Sequence, residues 1–136
     1  MKVSVLKILL LFSAITLGIS NHGFSQNTGK IKTISAEKFQ KKIDKLKDIQ
    51  LIDVRRPEEY ADGFIKGAMN YNVLDSTLIN HIPLLDKNKP VFVYCRTGVR
   101  GLKAAKILEA DGFKVFNLRG GLKNWEGKRL PIVKKQ

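Results

Sequence analysis

Short strand-like runs alternate with stretches of helical period from residue 31 to residue 125, and that alternation leaves few folds open. Residues 31–34 form the first run. Ser35 then stands as an N-cap before residues 36–46, where Phe39, Ile43 and Leu46 recur at helical spacing. Residues 49–54 read as a second strand. The charged stretch 55–63, with Pro57 and Gly63, reads as a loop holding one helical turn that starts at Pro57. Residues 68–73 suggest a brief strand, 74–82 a short helix ended by Pro83, and 86–90 a turn into the apolar run Val91-Phe92-Val93-Tyr94. A helix over 101–110 is predicted to turn Leu102, Ala105 and Leu108 inward; Asp111-Gly112 caps it. Residues 114–118 form a further strand, and Gly120-Gly121 opens a last short helix through Trp125. Strands separated by helices cannot pair as hairpins, so the pattern predicts a parallel sheet with helices on both faces, an α/β fold that binds ligands beyond the carboxyl ends of its strands. Asp53, Cys95 and Arg119 all fall at such ends.

The first 25 residues stand outside this pattern and read as a secretory signal. Lys2 and Lys7 make a positive start, residues 8–19 an apolar core broken by Ser13, Thr16 and Gly18, and small residues follow. Cleavage before Gln26 is preferred because Gly23 and Ser25 are small and the polar linker 26–30 comes next; cleavage before Asn21 also fits. Those twelve core residues fall short of the roughly 20 needed to span a bilayer, which predicts an exported protein, periplasmic or secreted, with no stable membrane insertion after cleavage. His22 falls in this segment, and His81 lacks the clustered partners of a metal site, so no metal is expected. About 110 residues remain, enough for one domain over 31–133. Removing Lys2 and Lys7 takes the formal charge from +13 to +11. The lysines are scattered rather than interleaved with aromatic residues, which argues for solubility and attraction of small anions, and against nucleic acid.

Cys95 is the single cysteine, so it has no partner for an internal disulfide. An unpaired thiol in an oxidising compartment is a liability unless it is used. It stands where the Val91 strand enters Cys95-Arg96-Thr97-Gly98-Val99-Arg100, just before the 101–110 helix. There a thiol meets the positive end of a helix dipole, two guanidinium groups and backbone N–H donors, all of which favour the thiolate. The same groups cradle a small anion, so Cys95 is the candidate nucleophile, with Arg96, Thr97, Gly98, Val99 and Arg100 as its anion-binding loop.

Three stretches resemble the single-domain rhodaneses, which move sulfane sulfur through a persulfide on a cysteine. The first is Leu51-Ile52-Asp53-Val54-Arg55 with Pro57-Glu58-Glu59-Tyr60 and Gly67-Ala68-Met69-Asn70; the second is Tyr94-Cys95-Arg96-Thr97-Gly98-Val99-Arg100; the third is Leu118-Arg119-Gly120-Gly121 with Trp125, Gly127 and Pro131. The resemblance implies a five-stranded parallel sheet with helices on both faces. It also implies a sulfurtransferase that takes sulfur from a small anionic donor, thiosulfate or a persulfide, and passes it from Cys95 to cyanide or a thiol, with an acceptor protein possible and no metal or organic cofactor. Two departures stand out: Phe64-Ile65-Lys66-Gly67-Ala68 replaces the family's His-Ile-Pro-Gly-Ala, and Gly101 stands where a serine often follows the second arginine. The first predicts altered packing or an altered partner surface; the second removes a hydroxyl that would bond the persulfide or cap the helix, and predicts modest turnover.

Cysteine phosphatases on the same fold resemble this chain but carry five residues between cysteine and arginine, whereas Arg96, Thr97, Gly98 and Val99 make four here. A tighter loop favours sulfur over a phosphoryl group, which leaves a phosphatase-like hydrolase as the lesser alternative and a persulfide carrier without turnover as the nearer one. Asp53 is expected to accept hydrogen bonds that fix the loop rather than to act as a base. Arg55 and Arg56 are expected to pair with Glu58 or Glu59, and Arg119 to support the Gly120-Gly121 turn or bind weakly. Trp125 is read as core or rim packing.

Overall fold

The computed structural model describes residues 30–135. The predicted signal 1–25, His22 and all of the linker except Lys30 therefore lie outside the described residues. Within them the elements are β1 (Ile31–Ile34), α1 (Ala36–Lys45), β2 (Gln50–Asp53), α2 (Pro57–Asp62), β3 (Met69–Asn70), α3 (Thr77–His81), β4 (Val91–Tyr94), α4 (Val99–Ala110), β5 (Val115–Leu118) and α5 (Gly121–Gly127). A 3-10 turn, Ile82–Leu84, follows α3.

The five strands form one sheet in the order β1-β5-β4-β2-β3, every pair parallel. All four residues of β2, β4 and β5 are buried, as a sheet covered on both faces requires. On one face Ala104, Ala105 and Leu108 of α4 and Leu78 of α3 pack against Ile52, Val91, Val93 and Val115. On the other, Ala36 and Phe39 of α1 and Leu122 and Trp125 of α5 pack against Leu51, Phe92, Tyr94 and Phe116. Phe39 sits at the centre of that layer, edge-on to Phe92 at 5.2 Å and to Trp125 at 6.3 Å. Burying side chains of this size contributes about 1.5–3 kcal/mol each, so both layers hold the central strand β4, and the loop it delivers, firmly in place.

Four sequence expectations need correction. The fourth helix begins at Val99 rather than 101, because Gly98 takes the N-cap position at φ +103° and the chain turns helical at once. Its inward face is Gly101, Ala104, Ala105 and Leu108, while Leu102 is 38% exposed. The third strand keeps only two ladder residues, Met69 and Asn70, because it pairs with β2 alone at the sheet edge. Pro83 does not end a helix over 74–82: the α-helical turn spans only Thr77–His81, and Pro83 lies inside the 3-10 turn, at a first-turn position where its missing N–H costs nothing.

Candidate functional site: the Cys95 loop

Cys95 directly follows β4, the middle strand, so a strand fully packed on both faces aims it at the carboxyl edge of the sheet. The residue is 1% exposed. Its Sγ accepts a hydrogen bond from the Gly98 N–H at 3.0 Å. Only a loop that doubles back can bring that N–H onto the sulfur, and Gly98 permits it through its positive φ. The loop then becomes α4, a twelve-residue helix whose first-turn N–H groups, at Val99, Arg100 and Gly101, have no acceptor within the helix. Positive potential and free donors thus converge on the loop that holds the thiol, which suits an anionic ligand.

A second helix holds the loop from behind. At the start of α5, the Leu122 N–H donates to the Cys95 carbonyl at 2.8 Å and the Lys123 N–H to the Arg96 carbonyl at 2.9 Å. Two orphan donors of one helix end thereby fix two carbonyls of the loop. Gly121 makes this approach possible: at φ +59°, a Cβ there would lie 2.5 Å from the Cys95 carbonyl oxygen and from the Arg96 carbonyl carbon. A side chain at Gly101 would likewise stand 2.5 Å from Asn117 Oδ1. The space of the family's serine is therefore taken by an amide from β5, and Asn117 Oδ1 is buried with no hydrogen-bond partner among the described residues.

The two loop arginines differ in setting. Arg100 is engaged bidentately, Nη1 to Glu59 Oε2 at 2.7 Å and Nη2 to Oε1 at 2.8 Å. Glu59 also accepts the Arg56 N–H at 3.1 Å, so one carboxylate ties the start of α2 to the start of α4. The hydrogen bonds from Arg100 hold the Glu59 carboxyl down at about 2, against the partial desolvation that would raise it. Arg96 is exposed and pairs loosely with Glu126 at 3.6 Å. Thr97 and Val99 are exposed beside it.

Asp53 is buried at the end of β2, where it accepts the Arg55 backbone N–H at 3.0 Å and the Arg55 guanidinium at 2.6 Å. That guanidinium also donates to the Gly63 carbonyl at 2.7 Å. Asp53 thus fixes the loop after β2. Arg55 pairs with Asp53 and not with Glu58 or Glu59, because a bidentate partner two residues away is already in reach and Glu59 is taken by Arg100. Tyr94, buried above this pair, is pushed well above the ordinary phenol range by burial first and by the nearby Asp53 charge second. Its hydroxyl accepts the Ile65 N–H at 3.0 Å. Arg119 leaves β5 at the sheet's carboxyl edge, exposed, its Nη2 donating to the Thr33 carbonyl at 3.2 Å. The Phe64 substitution lies in packing: its ring stacks on Tyr60 at 4.1 Å and its backbone bridges to Val133, while Lys66 is exposed.

The structure therefore gathers Cys95, Gly98 and Arg100 around one loop, sets Asp53 and Arg55 behind it as a scaffold, and turns Arg96, Thr97 and Arg119 to the surface. Sequence reasoning missed the roles of Glu59, Asn117 and Gly121. Glu59 carried a signal: it stands three residues after Arg56, the N-cap of a helix opened by proline, where a capping carboxylate belongs. Asn117, a lone amide in an apolar strand, was visible too, but its contact with Gly101 spans two elements. Among the described residues no group of histidine, cysteine and acidic side chains could hold a metal ion, and no helix is long and apolar enough to cross a membrane.

Comparison with known proteins agrees with this geometry. Residues 35–128 match the rhodanese-like domain family. The chain is 37% identical over 102 residues to the YtwF protein of Bacillus subtilis, covering 75% of this chain and 97% of the relative. It is 34% identical over 105 residues to a protein named sulfurtransferase in Allochromatium vinosum, covering 76% and 95%. Among solved structures, a rhodanese-like domain protein of Staphylococcus aureus superposes with a TM-score of 0.67 at 31% identity, over 77% of this chain and 99% of that one. Three sequence signatures, an all-parallel five-stranded sheet and a cysteine loop closed by two helix ends thus lead to one conclusion: the chain belongs to the rhodanese-like domain family.

Proposed function

We propose that this protein is an exported sulfurtransferase that moves sulfane sulfur from thiosulfate or a persulfide donor, through a Cys95 persulfide, to cyanide or a thiol. What supports the reading above all is the 3.0 Å hydrogen bond from the Gly98 N–H to Cys95 Sγ, inside a loop backed by the start of a twelve-residue helix. A fixed N–H on the sulfur stabilises the charge that shifts during transfer. Cys95 thiolate attacks the outer sulfur of thiosulfate, the S–S bond breaks, and sulfite leaves with the electron pair. Cyanide then attacks the terminal sulfur of the persulfide, leaving as thiocyanate and returning Cys95 to its thiolate. Export rests on the signal-like residues 1–25 alone.

Mass spectrometry of the protein after exposure to thiosulfate should show a gain of one sulfur on Cys95, and thiosulfate should be turned over with cyanide as acceptor. Replacing Cys95 by serine should abolish both, because an alcohol is a far weaker nucleophile at neutral pH and forms no persulfide. Stoichiometric sulfur loading without turnover would instead favour the carrier reading. Hydrolysis of an aryl phosphate by the unmodified protein would favour the phosphatase reading.

A further inference from the structure

Beside the Cys95 loop lies an open groove of about 750 Å³, lined by Thr97 of the loop, Arg119 and Gly120 at the end of β5, and Lys123, Asn124 and Lys128 of α5 and its C-cap. It holds far more than the five atoms of thiosulfate. Its floor is joined to the sulfur's own loop: a Cβ on Gly98 would lie 3.2 Å from the Gly120 nitrogen, so whatever fills the groove sits against the segment that donates to Cys95 Sγ. The polar atoms it offers are mostly cationic. Lys123 makes no ion pair among the described residues, Arg119 donates only to the Thr33 carbonyl, and Lys128 is paired with Glu37 at 3.0 Å.

Such a surface selects an anionic occupant. Two features separate the kinds. Among the described residues no aromatic side chain lines the groove to stack nucleic-acid bases. The Glu37 carboxylate on Lys128 interrupts the positive lining, which opposes an unbroken phosphate backbone but suits a polypeptide that places acidic and neutral side chains in turn. We infer that this groove docks an acidic polypeptide segment of the protein that exchanges sulfur with Cys95. The inference rests on the sulfur-transfer reading and names the partner class for the same site. In the transfer it serves, a partner thiolate attacks the outer sulfur of the protonated Cys95 persulfide. The Cys95–sulfur bond breaks, the partner becomes the persulfide, and Cys95 departs as thiolate.

The test separates docking from chemistry. A fluorescein-labelled peptide of alternating glutamate and glycine, and its glutamine counterpart, are titrated by anisotropy against the Cys95→Ser protein at low ionic strength. The acidic peptide should bind at least about tenfold more tightly, with the difference collapsing near 0.5 M salt. Replacing Lys128 by glutamine should remove much of that preference, while thiosulfate to cyanide turnover of the same variant on the Cys95 background stays within about twofold. Equal affinity for the two peptides, or tighter binding of a single-stranded oligonucleotide of equal charge, would overturn the inference. Because the binding arm uses no sulfur chemistry, loss of persulfide formation with the peptide preference retained would sink the sulfurtransferase reading and leave the docking surface standing.

Discussion

Gly121 does more for the site than its lack of chemistry suggests. It holds a left-handed conformation at φ +59° with the backbone of Cys95 and Arg96 against its Cα, so any side chain meets both a conformational penalty and a collision with main chain that cannot swing aside. Replacing it by alanine should destabilise the fold by about 1–3 kcal/mol and push the loop off α5. Urea denaturation reads the first effect. Loss of the proposed thiosulfate reaction under conditions where the variant is still folded reads the second; an alanine variant as stable and as reactive as the parent would show that the loop does not depend on this approach.

At the scale of elements, one carboxylate joins the first turns of α2 and α4. Glu59 is depressed to about 2 in the folded protein and returns to the ordinary carboxyl range, near 4.5, on unfolding. A depressed carboxyl contributes stability that is complete above the unfolded value and is lost as pH falls through the folded one, so the contribution fades between about pH 4.5 and pH 2. Glu59→Gln should therefore cost about 1 kcal/mol or somewhat more at pH 7, the range for a partly buried bidentate pair, and the gap between variant and parent should close toward pH 2. Urea midpoints at the two pH values check this. A gap that persists unchanged in acid would mean that the Glu59 side chain contributes by packing and not by charge.

Across the whole molecule the excess of lysine and arginine is the dominant field, with 25 basic against 12 acidic residues. Its consequence at Cys95 is separable from sulfur chemistry. The rate of Cys95 alkylation by iodoacetate, an anion, relative to iodoacetamide, a neutral reagent of similar size, should fall several-fold as ionic strength rises from about 0.01 M to about 0.15 M, because the Debye length shrinks from about 30 Å to about 8 Å. A ratio indifferent to salt would place the basic charge where it does not steer anions to the thiol.

What the sequence determined by itself was whatever depends on neighbours along the chain. The alternation of apolar runs with helical spacing was enough for the parallel α/β sheet, Ser35 for the start of α1, Pro57 for the start of α2, and Cys95 at a strand end ahead of a helix for the place of its loop in the fold. The tertiary structure decided what depends on residues far apart in the chain. Leu102 is apolar and at helical spacing, yet α4 lies on the sheet through its small residues, since Gly101, Ala104 and Ala105 let the helix come close and leave Leu102 outside. Arg100 and Glu59 are 41 positions apart and meet only because β2 and β4 are neighbours and deliver both loops to the same edge. Gly101 reads as a missing hydroxyl in one dimension and as room for Asn117 in three. Periodicity and capping are local and leave a trace in the chain; which two side chains share one space is set by strand order, and strand order is a property of the packed sheet.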